Sequence, residues 1–250
     1  MISWAEPVMG TMVSFAVEPG AVPEADANRA IRAACELLHR TDQIFSLWKP
    51  DSPMSRMRRG ERVDAPSEID EVLELCAQAR DLSEGWFDPW AMPGGVDPTG
   101  LVKGWAADQA LGALASAGVE AALVNAGGDV AILPGRRWRV GIRHPWRADA
   151  LACIVDTDSA LATSGCYERG AHLIDPRGGR SLAASATVSG PTLALADALA
   201  TALAVAGDKG LELVRSLDDY EGSLIRADGT EAATAGFAAM VSAAPSAPQH

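Results

Sequence analysis

The sequence predicts an α+β fold in which helices pack on a mixed, largely antiparallel sheet. Apolar residues recur at helical spacing in two long segments before Gly85, whereas from Leu123 onward the chain breaks into short apolar runs separated by turn residues. With 250 residues, 48% of them hydrophobic, the chain can bury a substantial core. We therefore expect one domain over residues 1–241 and a disordered, Ala/Pro/Ser-rich tail over residues 242–250.

The charge balance limits the classes of partner. A formal net charge of −12 argues against nonspecific binding to nucleic acid or to an anionic membrane, although a local basic site stays open. Glu6 and Pro7 interrupt the apolar N-terminus and no cationic leader precedes it, which predicts a cytoplasmic protein. No apolar run approaches the roughly 20 residues of a membrane span, and the four cysteines lack a CxxC spacing, so we expect them to be reduced and mostly structural.

The N-terminal segment predicts a strand, a helix and a loop. Residues 11–17 alternate loosely and follow a turn at residues 9–11, and residues 24–46 carry apolar side chains on one helical face. The polar, proline-punctuated residues 46–60 predict a surface loop. Within that loop, Trp48 either covers the core or stacks on a planar ligand.

A second helix and a glycine-rich stretch follow. The helix begins at Ser67, with Asp70 as its capping-box partner, and ends at Gly85. Residues 94–130 then predict a turn, a helix and a short strand, with glycines at both ends that permit close approach of a ligand or simply form tight turns. Lys103 lies one helical turn beyond Gly100, a placement that favours phosphate binding.

The remainder of the chain predicts short strands and two helices. A helix over residues 192–205 has an apolar face, and Asp197 and Thr201 lie four residues apart on the other face. A short helix is expected at residues 208–216. The expected strands are residues 123–125, 130–133, 138–142, 152–155, 160–163, 171–174, 187–189, 223–226 and 238–241.

The candidate chemistry is that of phosphates and hard cations. The chain has no P-loop, no GxGxxG after a strand, no HExxH and no GxSxG. Asp197 and Thr201 form a hard-oxygen pair suited to Mg²⁺, unless they are solvated or bonded to each other. His172 precedes a turn at residues 175–178 and is either a proton acceptor or a half-buried, satisfied histidine.

The order of short motifs resembles one known family. The motifs are MGT (9–11), SLWKPDSPMSRM (46–57), GWFDP (85–89), VDPTGLVKGWAAD (96–108), VNAGGD (124–129), ATSGCYER (162–169), HLIDPRGG (172–179) and ADALATAL (196–203). In this order the chain resembles the FAD:protein FMN transferase family, also called the ApbE family. The resemblance implies an ApbE-like single α+β domain and Mg²⁺-dependent transfer of FMN from FAD to a Thr or Ser hydroxyl of an acceptor flavoprotein, with release of AMP.

The resemblance also implies roles for individual residues. Those expected to contact FAD are Met9, Trp48, Phe87, Asp88, Asp97, Lys103, His172 and Leu173. The expected metal ligands are the Gly100 carbonyl and the side chains of Asp197 and Thr201. His172 and Asp197 are the expected catalytic residues, one of which accepts the proton of the incoming hydroxyl.

Two departures from the family pattern stand out. Only residues 90–95 separate the FDP turn from the VD turn, where family members usually carry a longer insertion, and from its N-terminal sequence we expect none of the leaders common in the family. Two other functions fit the same residues. In an FAD pyrophosphatase water would replace the protein acceptor, and in a noncatalytic FAD-binding module the metal pair would have no use.

Overall fold

The computed structural model describes residues 1–165, 174–178, 181 and 183–242. Its helices are α1 (Glu24–Phe45), α2 (Pro53–Arg58), α3 (Ser67–Leu82), α4 (Thr99–Ser116), α5 (Leu193–Ala206), α6 (Asp208–Ser216) and α7 (Ala235–Met240), with a 3₁₀ turn at Pro89–Ala91. Its strands are β1 (Ile2–Val8), β2 (Thr11–Glu18), β3 (Ala121–Ala126), β4 (Asp129–Ile132), β5 (Trp138–His144), β6 (Arg147–Thr157), β7 (Ala160–Ser164), β8 (Ala183–Gly190), β9 (Glu221–Arg226) and β10 (Glu231–Ala233).

The strands confirm the α+β prediction. Eight of them form one sheet in the order β1-β2-β3-β4-β7-β8-β9-β10, and every pair in it is antiparallel. β5 and β6 form a separate antiparallel hairpin. In the described part of the chain, no helix combines the length and hydrophobicity that a membrane crossing requires.

Two apolar clusters hold these layers together. The larger lies between the eight-stranded sheet and helices α1, α3, α4 and α5. The smaller joins the β5–β6 hairpin and Phe237 to the other side of the sheet. β4 contributes to both, because Ala131 belongs to the larger cluster whereas Val130 and Ile132 belong to the smaller, as side-chain alternation along a strand requires.

Helix α5 is buried on more sides than its sequence pattern predicts. The sequence separates an apolar face from the face of Asp197 and Thr201, but the helix contacts α4 on one side and β7 and β8 on another. Asp197 is consequently 5% exposed. A carboxylate in such a place needs charged or hydrogen-bonding partners, and its position is fixed by the packing around it.

Several local predictions were wrong. Strand β1 was missed because Glu6 and Pro7 break its apolar pattern, which an edge strand tolerates. Pro66 occupies the N-cap of α3, so Ser67 is already inside the helix and forms no capping box. Residues 53–58 of the expected loop are helical, with Ser52 accepting a hydrogen bond from the Ser55 amide. Residues 238–240 belong to helix α7 rather than to a strand, and Val241 forms only an isolated bridge to Val155. The predicted 171–174 strand and 242–250 tail lie almost entirely outside the described residues.

Candidate active site

The site is built where α4 crosses the start of α5. A Cβ on Gly104 would lie 2.6 Å from the Leu193 carbonyl oxygen, so glycine permits the close approach of the two helices. One turn further along α4, the Asp108 carboxylate accepts hydrogen bonds from the amides of Leu193 (3.0 Å) and Ala194 (2.8 Å). Asp108 thus caps a helix whose own N-cap residue makes no side-chain bond. Burial raises the pKa of Asp108 to about 6, against the opposing effect of the two amide hydrogen bonds.

Lys103 stands between two carboxylates at this crossing. Its Nζ donates to Asp129 Oδ2 and lies 3.9 Å from Asp197 Oδ2. The second oxygen of Asp129 accepts from the Thr163 amide at 2.8 Å. The side chains of Asp129 and Asp197 are 4% and 8% exposed, so low solvent screening strengthens their interaction with the ammonium. Elements distant in sequence, α4, α5 and the start of β4, are therefore tied together by charge.

A pair of hydroxyl groups lies where α5 meets the end of β7. Thr201, one turn after Asp197, lies with its Oγ1 3.1 Å from Ser164 Oγ at the end of β7. The side chains of Asp197, Thr201 and Ser164 together present carboxylate and hydroxyl oxygens. Over the described part of the chain, no cluster of three or more His, Cys, Asp or Glu is arranged to hold a metal.

The first turn of α4 packs on a buried aromatic ring. A Cβ on Gly100 would lie 3.1 Å from Phe87 Cε2, so the buried Phe87 ring packs directly under the first turn of α4. Asp88, its neighbour, accepts from the Trp90 amide at 2.9 Å and pairs with Arg80 at 3.0 Å. Both predicted FAD contacts therefore also shape the loop that carries the short 90–95 connection.

Arg58 holds that connection and was missed by sequence reasoning. Its guanidinium donates to Asp97 Oδ2 (2.9 Å) and to the carbonyls of Pro93 (2.6 Å) and Gly94 (3.3 Å). The other oxygen of Asp97 accepts from the amide and hydroxyl of Thr99. Asp97 is thus oriented from two sides before any ligand is present.

Met9 and Trp48 lie in two connecting segments. Met9 is partly buried at the β1–β2 turn, with φ of 53°, and Trp48 lies between α1 and α2. That hairpin meets the Asn125–Asp129 turn, because a Cβ on Gly127 would clash with Thr11 Oγ1 at 2.5 Å. Trp48 is 97% exposed, so of its two predicted roles the covering of the core is wrong.

His172 and Leu173 lie outside the described residues, but the segment that follows them is anchored. The Arg177 guanidinium lies 3.6 Å from the centroid of the Trp86 ring and donates to the Glu84 carbonyl at 2.8 Å. The cation–π contact and the hydrogen bond tie residues 174–178 to the loop that precedes Phe87.

The sequence of this chain is similar to that of a known protein family. The sequence profile of the ApbE family matches residues 9–95 and 91–224, which is most of the chain. The chain belongs to the ApbE family. This confirms the resemblance drawn from the motifs, and the match includes every candidate residue of the site.

Individual relatives extend the comparison. An FAD:protein FMN transferase from Rhodobacter capsulatus is 29% identical over 81% of this chain and 51% of the relative, and one from Vibrio cholerae is 34% identical over 66% and 54%. The chain thus spans about half the length of the curated relatives it matches. The solved structure of the flavin transferase ApbE from Vibrio cholerae superposes with a TM-score of 0.80 at 22% identity, covering 96% of this chain and 98% of that one. The last comparison confirms the ApbE fold.

Two carboxylates at the helix crossing of this ApbE-family chain were not singled out from the sequence. Asp129 belongs to the VNAGGD motif and Asp108 to the VDPTGLVKGWAAD motif, so their motif membership was the available signal. Their partners, Lys103 and the first turn of α5, are remote in sequence. The sequence around such a carboxylate does not predict which distant residue will be its hydrogen-bond or ion-pair partner.

Proposed function

We propose that this chain transfers FMN from FAD to a Thr or Ser hydroxyl of an acceptor flavoprotein and releases AMP, with Mg²⁺ as the cofactor. Family membership and the names of the two relatives support the reaction class. The observation that carries the proposal in this chain is the buried cluster of Lys103, Asp129 and Asp197, with Thr201 one turn further along α5.

The donor atoms fit Mg²⁺. Asp197 supplies a carboxylate and Thr201 a hydroxyl, both hard oxygen ligands of the kind that Mg²⁺ prefers over nitrogen or sulfur. Mg²⁺ sites usually contain one or two protein carboxylates, with waters and substrate phosphates completing the shell, so a large cluster of acidic ligands is not required. When bound, Mg²⁺ would neutralise charge on the phosphates of FAD.

The third proposed ligand is the Gly100 carbonyl, which the resemblance to the family implies. Gly100 lies in the first turn of α4, one turn before Lys103, and Lys103 Nζ lies 3.9 Å from Asp197 Oδ2. The proposed ligands therefore lie on the two helices that meet at this crossing.

The other residues have binding roles in the proposal. Lys103 would donate to the pyrophosphate, and Asp97, held by Arg58, would accept from a hydroxyl or amine of FAD. The exposed Trp48 ring offers a face on which a planar ring can stack. Met9, Phe87, Asp88, His172 and Leu173 complete the proposed set of FAD contacts.

The proposed reaction is an in-line displacement at phosphorus. The acceptor hydroxyl oxygen bonds to the FMN phosphorus, while the bond from that phosphorus to the bridging oxygen breaks and AMP leaves with the bonding electrons. The hydroxyl proton passes to His172, or to Asp197 through a water. This chain's residues thus position both ends of the pyrophosphate and receive the proton, and little covalent chemistry is left for the protein.

Intact-mass spectrometry tests the proposal. The protein is incubated with FAD, Mg²⁺ and a candidate acceptor flavin domain, alongside the same acceptor with its target Thr changed to Val. An FMN adduct on the first acceptor alone, with AMP in equal amount, is the expected result. Free FMN and AMP without an adduct would instead establish FAD hydrolysis. Unchanged FAD would support the alternative that the protein is a noncatalytic FAD-binding module.

A further inference from the structure

A shallow groove lies where the C-terminal ends of α3 and α6 meet. Its volume is about 570 Å³. Asp81, Leu82 and Glu84 line it from the end of α3 and the residues that follow, and Leu213 and Leu217 line it from the end of α6. We call these five residues the α3–α6 groove. Among the described residues, the lining contains none of those proposed to bind FAD or Mg²⁺.

The floor of the groove is apolar. The side chains of Leu82, Leu213 and Leu217 are each partly exposed. Leu82 and Leu217 also pack against the larger apolar cluster, so the core holds them on one side while the other side stays open to solvent. Neighbouring leucines that are partly exposed are typical of protein interaction sites, because binding removes their apolar surface from water.

The rim of the groove is acidic. Asp81 and Glu84 are exposed, and neither carboxylate forms an ion pair with a residue that the structure describes. Asp218, directly after Leu217, is likewise exposed and outside any ion pair in the described part of the chain. The leucines are therefore flanked by negative charge that the protein itself does not neutralise by pairing.

Basic side chains near the rim have other contacts. Arg80 pairs with Asp88 at 3.0 Å. Arg177 donates to the backbone carbonyl of Glu84 at 2.8 Å rather than to its carboxylate. Lys209 lies in the first turn of α6, whereas the groove is formed at the last turns of that helix. The groove consequently keeps a surplus of negative charge.

The acidic rim is ordered in the unbound protein. Glu84 adopts a left-handed backbone conformation with φ of 51°, and its amide donates to the Asp81 carbonyl at 3.1 Å. The amide of Gly85 donates to the Arg80 carbonyl at 2.8 Å, which closes the end of α3. A backbone that is already fixed loses less conformational entropy on binding, which favours a role of this rim in recognition.

We propose that the α3–α6 groove docks a basic segment of a partner protein, in which an apolar side chain contacts the three leucines and flanking Lys or Arg side chains pair with Asp81 and Glu84. Charge complementarity selects the basic residues, and the leucines select against a polycation that lacks apolar side chains. The acidic rim repels nucleic acid and anionic bilayers. In a symmetric dimer a second copy would bring the same acidic rim against this one, and like charges oppose that pairing. This docking requires no step of the proposed flavin transfer.

Fluorescence anisotropy with defined peptides tests the docking. The probe is a labelled peptide with Lys and Arg around a central Leu, and its matched control has Gln in place of the basic residues. The combined variant Asp81→Lys and Glu84→Lys should weaken binding of the basic peptide by about tenfold or more. The matched control protein carries Asp64→Lys and Asp149→Lys, exposed positions outside the groove lining that change the net charge equally, and it should bind as the parent does.

A second variant separates recognition from simple charge attraction. Leu213→Ala keeps both carboxylates and introduces a good helix former, and among the described residues Leu213 belongs to neither apolar cluster, so the fold should tolerate the change. This variant should weaken the basic peptide several-fold. Its matched control is Leu37→Ala on α1, a leucine that is 38% exposed, which should leave peptide binding unchanged.

The salt dependence of the unmodified protein gives a further measurement. Binding of the basic peptide should weaken as NaCl is raised, a result that does not depend on whether a variant folds. Equal loss in the two charge-reversed proteins, no loss in Leu213→Ala, or no peptide binding would each overturn the proposal. Equal binding of a peptide whose central Leu is replaced by Ser, or self-association of the parent that the Asp81→Lys and Glu84→Lys variant abolishes, would overturn it as well.

Discussion

At the scale of single residues, Asp197 is a buried carboxylate on a helix whose other residues are almost all apolar. It is buried beside Lys103, which is already bonded to Asp129, and it shares its helical face with Thr201. A buried carboxylate contributes little net stability when its desolvation offsets the attraction to one ammonium. We therefore expect that replacing Asp197 changes the chemistry of the proposed site more than the stability of the fold.

Changing Asp197 to Asn should therefore abolish most turnover and leave the fold intact. We expect FMN transfer to fall on the order of 100-fold or more, because the amide lacks the negative charge that a divalent cation requires. Transfer rates over a Mg²⁺ titration measure this, with Asp64→Asn on the surface as the matched control. Undiminished transfer by the variant at low Mg²⁺ would exclude Asp197 as a ligand.

Replacing His172 with Asn should separate binding from catalysis. If His172 accepts the hydroxyl proton, transfer should slow by a factor on the order of 100 while FAD still binds. Flavin fluorescence titration reports the binding, and single-turnover mass spectrometry reports the transfer. A variant that binds FAD poorly but turns over the bound fraction at the normal rate would give His172 a positioning role.

At the scale of elements, Asp108 connects α4 to α5 and makes the connection sensitive to pH. Its pKa is raised from 3.8 to about 6, so between these values the folded state binds more protons than the unfolded state. The contribution of Asp108 to the free energy of unfolding consequently falls as pH rises through this window, by at most about 3 kcal/mol. This sign is opposite to that of a carboxylate stabilised by a salt bridge.

Urea denaturation of Asp108→Asn and of the parent at several pH values tests that sign. The free energy of unfolding of the parent, relative to the variant, should decrease between about pH 4 and pH 6 and then level off. The difference between the two proteins removes the contribution of all other acids. A relative stability that increases over the same range would mean that the two amide hydrogen bonds outweigh burial in setting the pKa of Asp108.

The same scale shows which elements a sequence can specify. Helix α1 was located within one residue at each end, and α3 was located correctly at its start but ends three residues earlier than predicted, because each has one apolar stripe against the core and a polar face in solvent. Strand β1 was not, because its residues 2–7 are partly or fully exposed and its pattern carries little periodicity. The end of α7 was taken for a strand, since a short Ala-rich run fits either period and only the burial of Phe237 decides between them.

At the scale of the whole molecule, motifs that are separate in sequence meet at one place in the fold. The motifs at residues 96–108, 124–129 and 196–203 are separate in sequence, yet Lys103, Asp129 and Asp197 meet at one helix crossing. What the sequence could not supply is the set of long-range partners, such as Arg58 for Asp97, because these depend on how the elements pack. The resemblance proposes Lys103 and Asp197 as site residues, and the fold shows that Asp129 and Arg58 are among the partners that orient the proposed set.

The short connection at residues 90–95 gives the last prediction. Arg58 holds its Pro93 and Gly94 carbonyls, and Trp90 remains 42% exposed, so this ring is available to cover the adenosine end of FAD that a longer insertion would otherwise cover. Stacking of one aromatic ring contributes on the order of 1 kcal/mol, so Trp90→Ala should weaken FAD affinity several-fold. FMN and riboflavin lack adenine and should bind the variant and the parent alike in fluorescence titrations.

The control variant is Trp146→Ala, which removes a similarly exposed tryptophan on the β5–β6 hairpin and should leave the affinities for FAD, FMN and riboflavin unchanged. Equal weakening of all three ligands by Trp90→Ala would place Trp90 in the support of the whole site, and no weakening would mean that the adenine lies in solvent.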